Sequence, residues 1–386
     1  MRLTSHPLWL VGFRPLFTLA CLAGLLLPPV WALIFAGQLA APDMAFSPIQ
    51  WHAHEMFFGF GWAVLGGFLL TSTKNWVGIR GYHGASLLLL TAAWIVERLG
   101  MSLGGHWPLP LFLLANSLFL VAIVAMLLWT LIRHRQRDSY RSDNGFFLLM
   151  LPAFIVAKHL LLAGDFAAGS AMSIGLFRLA FLIMLERTLT QFMKAAFQVE
   201  ILRQPWLDMS IKLLGLCLAL EFLLPSALAA ALALTLAALL AIRFCFWKPQ
   251  RVLRRIDIGI MYIGYLLIVL QLLVDACGHL ANLVWVGSLS VHLFTVGVMG
   301  CIAPAMMIRI AKGHTGRKVA FAGSERLLLY LMLATLLFRV GLPQLFPAAY
   351  LGWIHLSAST WALVYGVLAW RVIPLLTQPR IDGREH

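Results

Sequence analysis

"PLPLFLLANSLFLVAIVAMLLWTLI", residues 108–132, holds no charged side chain. As a helix rising about 1.5 Å per residue it reaches about 37 Å, enough to cross the roughly 30 Å hydrocarbon layer of a bilayer. Similar runs recur along the chain. They predict spans at 16–36, 51–73, 83–101, 108–132, 144–164, 168–193, 207–224, 226–246, 256–279, 285–310, 326–346 and 350–374. The weakest division is at Pro225, where two short spans compete with a kinked pair or a re-entrant hairpin. The expected fold class is therefore all-α: a polytopic membrane helix bundle of about twelve transmembrane helices. Residues 1–386 form one integral membrane domain in this reading, with no soluble domain.

Composition agrees. Of the 386 residues 61% are apolar and 11% charged, against about 25% charged in an ordinary soluble domain. A formal charge of +14 would suggest nucleic acid in a soluble protein, but here the basic residues sit in short connectors between apolar runs. Twenty-three lysines and arginines, beginning with Arg2 and Arg14, fall in one alternate set of connectors and two, Arg98 and Arg339, in the other. The excess of positive charge on cytoplasmic loops explains this pattern and puts both termini in the cytoplasm. The partner is a lipid bilayer, not nucleic acid.

The first run, 16–36, is long for a cleaved leader and is read as the first span, kinked at Pro28 and Pro29. Five cysteines (Cys21, Cys217, Cys245, Cys277, Cys301) show no CxxC and no disulfide-like spacing. No repeat of 20 to 50 residues stands out, and the one low-complexity tract is the Ala/Leu run at 227–241.

Depth now follows from position. "WHAHEMFFGF", residues 51–60, places His52 and His54 at the outer mouth of the second span. His159, His279, His292 and His355 fall toward the outer ends of four other spans. One histidine near a helix end is more often a hydrogen-bonding core or interfacial group than a ligand. Six on one side of the membrane, from five spans, point instead to a metal or heme site, because ionisable groups in lipid are costly and imidazole is a common ligand.

Residues two apart on a helix point about 200° from each other, so His52 and His54 are not expected to share one ion. Glu55, three positions from His52, is a candidate to orient its ring or to carry protons. Asp275 and His279 form an i, i+4 pair on the ninth span, and Asp275 is the other candidate for proton transfer. Lys158, Arg178 and Glu221 lie within spans too. Such cations suit heme propionates, Arg178 above all, and structural ion pairs between helices are the equal alternative. "TKNWVG" (73–78) and "HTGRK" (314–318) read as basic anchors at the cytoplasmic face.

Three stretches carry a family resemblance. "GFRPLF" (12–17), "WHAHEMFFGFGWAVLGGFLLTSTKNWVG" (51–78) and "HLFTVGVMGCIAPAMMIRIAKGHTGR" (292–317) resemble the signature blocks of the NnrS family, in order and spacing. The resemblance implies a twelve-span protein of the bacterial inner membrane that binds heme, of b type, and copper, and that serves the nitric oxide response, often beside denitrification. It supports His52, His54 and His292 as ligands and, outside the blocks, His159. His279 and His355 rest on depth alone. Where the family has a GRxxP pattern this chain has "ERTLTQFMKAAF" (186–197), which keeps Arg187 and lacks the proline.

Two classes of function stand side by side. One is a heme and copper protein that binds and detoxifies nitric oxide under nitrosative stress, with reduction at an outer metal site as the enzymatic version and an unknown electron donor. The other is a transporter of copper or a metal complex lined by histidine and by Met299, Met306 and Met307, soft ligands that are more often core filler. A nitric oxide sensor or scavenger without turnover is a third reading.

Overall fold

The computed structural model describes residues 3–41, 45–281, 283 and 285–384, and every regular element among them is helical. Arg2 of the charge count lies outside the described residues. Twelve helices follow one another: α1 (Phe13–Phe35), α2 (Pro48–Val77), α3 (Ala85–Leu103), α4 (Leu109–Arg133), α5 (Arg141–Ala163), α6 (Phe166–Phe197), α7 (Pro205–Leu218), α8 (Ser226–Phe246), α9 (Ile256–Ala281), α10 (Leu289–Gly313), α11 (Gly323–Leu345) and α12 (Pro347–Leu376). Eleven are long and apolar enough to cross a membrane. The exception is α7, whose 14 residues rise only about 21 Å. A 3₁₀ turn at Glu221–Leu223 and Pro225 then end the segment that the sequence marks as its weakest division.

Helices are the expected solution because lipid offers no partner to a backbone N–H or C=O. Their ends are closed by local chemistry. At the start of α2 the Ser47 hydroxyl accepts from the Gln50 N–H at 3.4 Å, and the Gln50 side-chain oxygen accepts from the Ser47 N–H at 3.2 Å. The Gln50 amide nitrogen reaches on to the carbonyls of Leu161 and Leu162, so the same residue ties α2 to the last turn of α5. At the other end Gly78 takes φ +66° and its N–H returns to the Lys74 carbonyl. The exposed faces are apolar: Leu89, Leu109, Leu113, Trp129 and Trp370 are each more than half exposed, a liability in water and the proper surface against lipid tails.

Three helices carry a π turn: Glu55–Gly61 in α2, Leu293–Met299 in α10 and Leu337–Gly341 in α11. Such turns insert one residue into the helical ladder and recur at functional sites. These follow His54, follow His292 and contain Arg339.

The chain forms two compact units. The first comprises Met1–Phe166, Met306–Phe321 and Trp361–His386; the second comprises Ala167–Ala305 and Ala322–Thr360. In the first, α1 lies close against α2 because Gly66 and Gly67 present no side chain: a Cβ on Gly67 would stand 2.9 Å from the Phe17 ring. In the second, Tyr262 and Tyr265 of α9 donate to the carbonyls of Trp247 and Leu240, at 2.7 and 3.0 Å, and pin the end of α8.

Arg98 and Arg339, the two cations on the poorer side of the charge count, lie inside α3 and α11. The connectors of that side therefore contain no lysine or arginine. Single cysteines placed at Ser139 and Lys318 in a cysteine-free background should react with impermeant maleimide only from the cytoplasmic side, and those at His106 and Asp165 only from the opposite side. Labelling of all four from one side would overturn the topology.

Candidate functional site

The first unit encloses an ionic network that no single helix could build. His54 is wholly buried, with Nδ1 3.2 Å from Glu55 Oε1 and Nε2 3.2 Å from Glu97 Oε1. Arg98 answers both acids, Nε lying 3.0 Å from Glu55 and Nη2 3.3 Å from Glu97. Lys158, from α5, donates to Glu97 and to the Asn116 carbonyl of α4. Four helices thus contribute to one cluster, whose acids are at most 1% exposed.

The π turn helps to shape it. Trp94 Nε1 donates to the Gly59 carbonyl at 3.1 Å, satisfying a backbone group in the disturbed ladder. Gly59 is also where Arg98 passes the helix, and any Cβ there would meet its guanidinium. Glycine is needed for that close approach.

The residue expected as a ligand, His54, lies between two carboxylates. Its Nδ1 makes a hydrogen bond with Glu55, whereas Nε2 lies near Glu97 without a hydrogen bond to it. The predicted divergence of the two histidines is nevertheless seen, for the His52 ring stacks on Trp31 at 4.2 Å. Glu55 makes contacts with His54 and Arg98. Lys158, being paired with Glu97, is not available to a heme propionate.

A second cluster lies in the other unit. His292 Nδ1 donates to the Ser288 carbonyl at 2.9 Å, four residues back on its own helix. That bond fixes the tautomer and leaves the lone pair on Nε2, which accepts from Arg339 Nη2 at 3.1 Å. Arg339 Nη1 stands 3.3 Å from the Tyr350 hydroxyl. Two residues before His292, Ser290 donates to Asp275, which also accepts from Gln271. Arg178, 1% exposed, donates Nη1 to Gln271 at 2.9 Å and lies 3.6 Å from Asp275.

Among the described residues His159 and His355 do not join these clusters, whereas His279, four residues after Asp275, interacts with it electrostatically. His159 follows Lys158 and points about 100° away from it, onto an exposed face of α5. His279 and His355 are half-buried on α9 and α12. Met299 and Met307 are buried core residues, which favours packing over a soft-ligand path. Among the described residues no group of three or more His, Cys, Asp or Glu side chains is arranged to hold a metal ion.

Sequence reasoning singled out Lys158 but passed over Glu97 and Arg98. The available signal was their adjacency in the apolar run "TAAWIVERLG" (91–100), since intramembrane charges demand partners. Removing one partner from a buried set strands the others at about 3–5 kcal/mol. Lys158→Met should lower stability by about that amount, read as a fall in melting temperature in detergent. Adding Glu97→Gln should recover part of the loss, and strict additivity would show that the two charges are not coupled.

A family model described as NnrS protein matches residues 7–380, a range that takes in both clusters and all three sequence blocks. No curated protein matches the chain. Since the match covers nearly the whole chain, this protein belongs to the NnrS family.

Proposed function

We propose that the protein binds a b-type heme through His292 and uses it to capture and detoxify nitric oxide at the bacterial inner membrane. Family membership supplies the link to the nitric oxide response. The observation that carries the heme reading is the fixed tautomer of His292.

A heme asks for one or two axial side chains and not a closed cage, and His292 fits that need. A ligand imidazole commonly donates its other N–H to a carbonyl, which fixes the ring and raises its basicity. Ser288 supplies that carbonyl. When bound, heme iron supplies a coordination position for nitric oxide. Arg339, which donates to Nε2 and to the Tyr350 hydroxyl, would have to release that nitrogen to iron and would then stand where it could orient a polar ligand or pair with a carboxylate of the macrocycle. Arg178 is the further cation assigned to such a carboxylate, and Asp275 holds a proton acceptor two residues' reach from His292 through Ser290. Copper has no matching set of three ligands among the described residues, so no step is assigned to it.

The test is optical. Protein purified in detergent should show heme bands that shift with nitric oxide, with iron in proportion to protein. His292→Ala should lose at least about nine-tenths of the bound heme, whereas His54→Gln should keep it while losing stability. Full heme retention in His292→Ala would sink the assignment, and its loss from His54→Gln alone would move the ligand to the other unit.

A further inference from the structure

The ends of the three sequence blocks that lie away from the histidines meet in one place in the first unit. Arg14 comes from "GFRPLF", Lys74 from "TKNWVG", and His314 and Arg317 from "HTGRK". The C-terminal segment joins them. Arg14 Nη1 donates to the carbonyls of Leu376 and Gln378, both at 2.7 Å, and Arg317 Nη2 donates to the Gln378 side chain at 2.8 Å. Arg380 Nη1 donates to the His314 carbonyl at 3.1 Å, the Ile381 N–H reaches the Thr315 carbonyl, and the His314 ring lies 5.6 Å from Phe13.

Among the described residues four cations are gathered against one carboxylate. Asp382 is that carboxylate, and Arg380 already claims it through Nε and Nη2. The field of the cluster is visible on His314, whose imidazole is pushed down to about 4 by burial and then by the charges of Lys74 and Arg380. It is therefore neutral at pH 7.

Topogenic charge alone does not account for this. Arg133, Arg137 and Lys318 are exposed, as loop anchors should be. Arg14 is 0% exposed and Lys74 only 8%. Arg14 donates to two backbone carbonyls. Lys74 Nζ has no hydrogen bond or ion pair among the described residues, and Gly81, at φ +78°, packs against its stem. Arg317 Nη1 is buried without a hydrogen-bond partner. Buried cations in this state call for an anion.

We infer that Lys74, Arg317, Arg14 and Arg380 form a binding site for a phosphate-bearing anion on the face of the protein that carries the basic connectors. A phosphate group suits it better than a carboxylate, because it brings more charge and more acceptor oxygens to a cluster that mixes a point-charge ammonium with guanidinium forks. The group has two sources, a soluble phosphate compound or the headgroup of an anionic lipid. The inference is independent of the heme reading, since it uses none of the same residues.

Full-length protein in phosphatidylcholine nanodiscs, with and without phosphatidylglycerol, separates the sources. Inorganic pyrophosphate binding is followed by calorimetry and by the rise in melting temperature, and retained phosphatidylglycerol by native mass spectrometry. Saturable pyrophosphate binding in pure phosphatidylcholine supports the soluble source; retention of phosphatidylglycerol that pyrophosphate does not displace supports the lipid. In either case Lys74→Gln and Arg317→Gln should weaken binding about tenfold or more, and Lys74→Arg should preserve it. Lys74→Gln removes a group that holds no other residue, so it should elute and melt like wild type without ligand. Binding of neither probe, or undiminished binding in both glutamine variants, would overturn the site.

Discussion

An ammonium and a carboxylate with no water around them must find each other, and the pairing of Lys158 with Glu97 is where this constraint is most severe. The cost of burying either alone exceeds what a helix interface can return. Their meeting therefore dictates much else in the first unit. Arg98 enters to answer the second acid, His54 bridges both acids, and Gly59 clears space for the guanidinium. Two helices, α3 and α5, are thereby locked in rotation against α2, because a turn of any of them would expose a charge to lipid.

Backbone groups obey the same rule as side chains. Each π turn leaves part of the helical ladder displaced, and the displaced groups need other partners. Trp94 serves one in α2. The three π turns sit beside His54, beside His292 and around Arg339, so the local departure from regular helix coincides with the polar chemistry. An inserted residue re-aims the side chains on either side of it, which regular 3.6-residue periodicity cannot do. His292 and Arg339 meet in this way, from two separate helices.

The two histidine environments show how the same residue type takes different roles. His54 lies with a carboxylate oxygen 3.2 Å from each ring nitrogen. His292 faces a carbonyl on one nitrogen and keeps a lone pair on the other, directed at a donor. The basic stretches diverge similarly: Lys318 stays on the surface, whereas Lys74 and Arg14 fold inward near the C-terminal segment, which for Arg14 is 362 residues away in the chain.

Helices, their approximate limits and the alternation of basic connectors were determined by the sequence alone, because a bilayer imposes length, apolarity and charge asymmetry on every span independently. The motif around His292 was legible for the same reason: an ionisable group inside an apolar run is conspicuous by itself. Pro225 was legible as a point of weakness, and α7 is short there. Only the tertiary structure decided which charges are partners. His54 and His159 look alike in sequence, yet one is enclosed by Glu55 and Glu97 and the other faces outward, since burial depends on which helix lies alongside. Glu97 and Arg98 come from one span and Lys158 from another, and Arg14, Lys74 and Arg317 from separate blocks. Electrostatic pairing acts through a few ångströms of space, and a chain read in order carries no record of that distance.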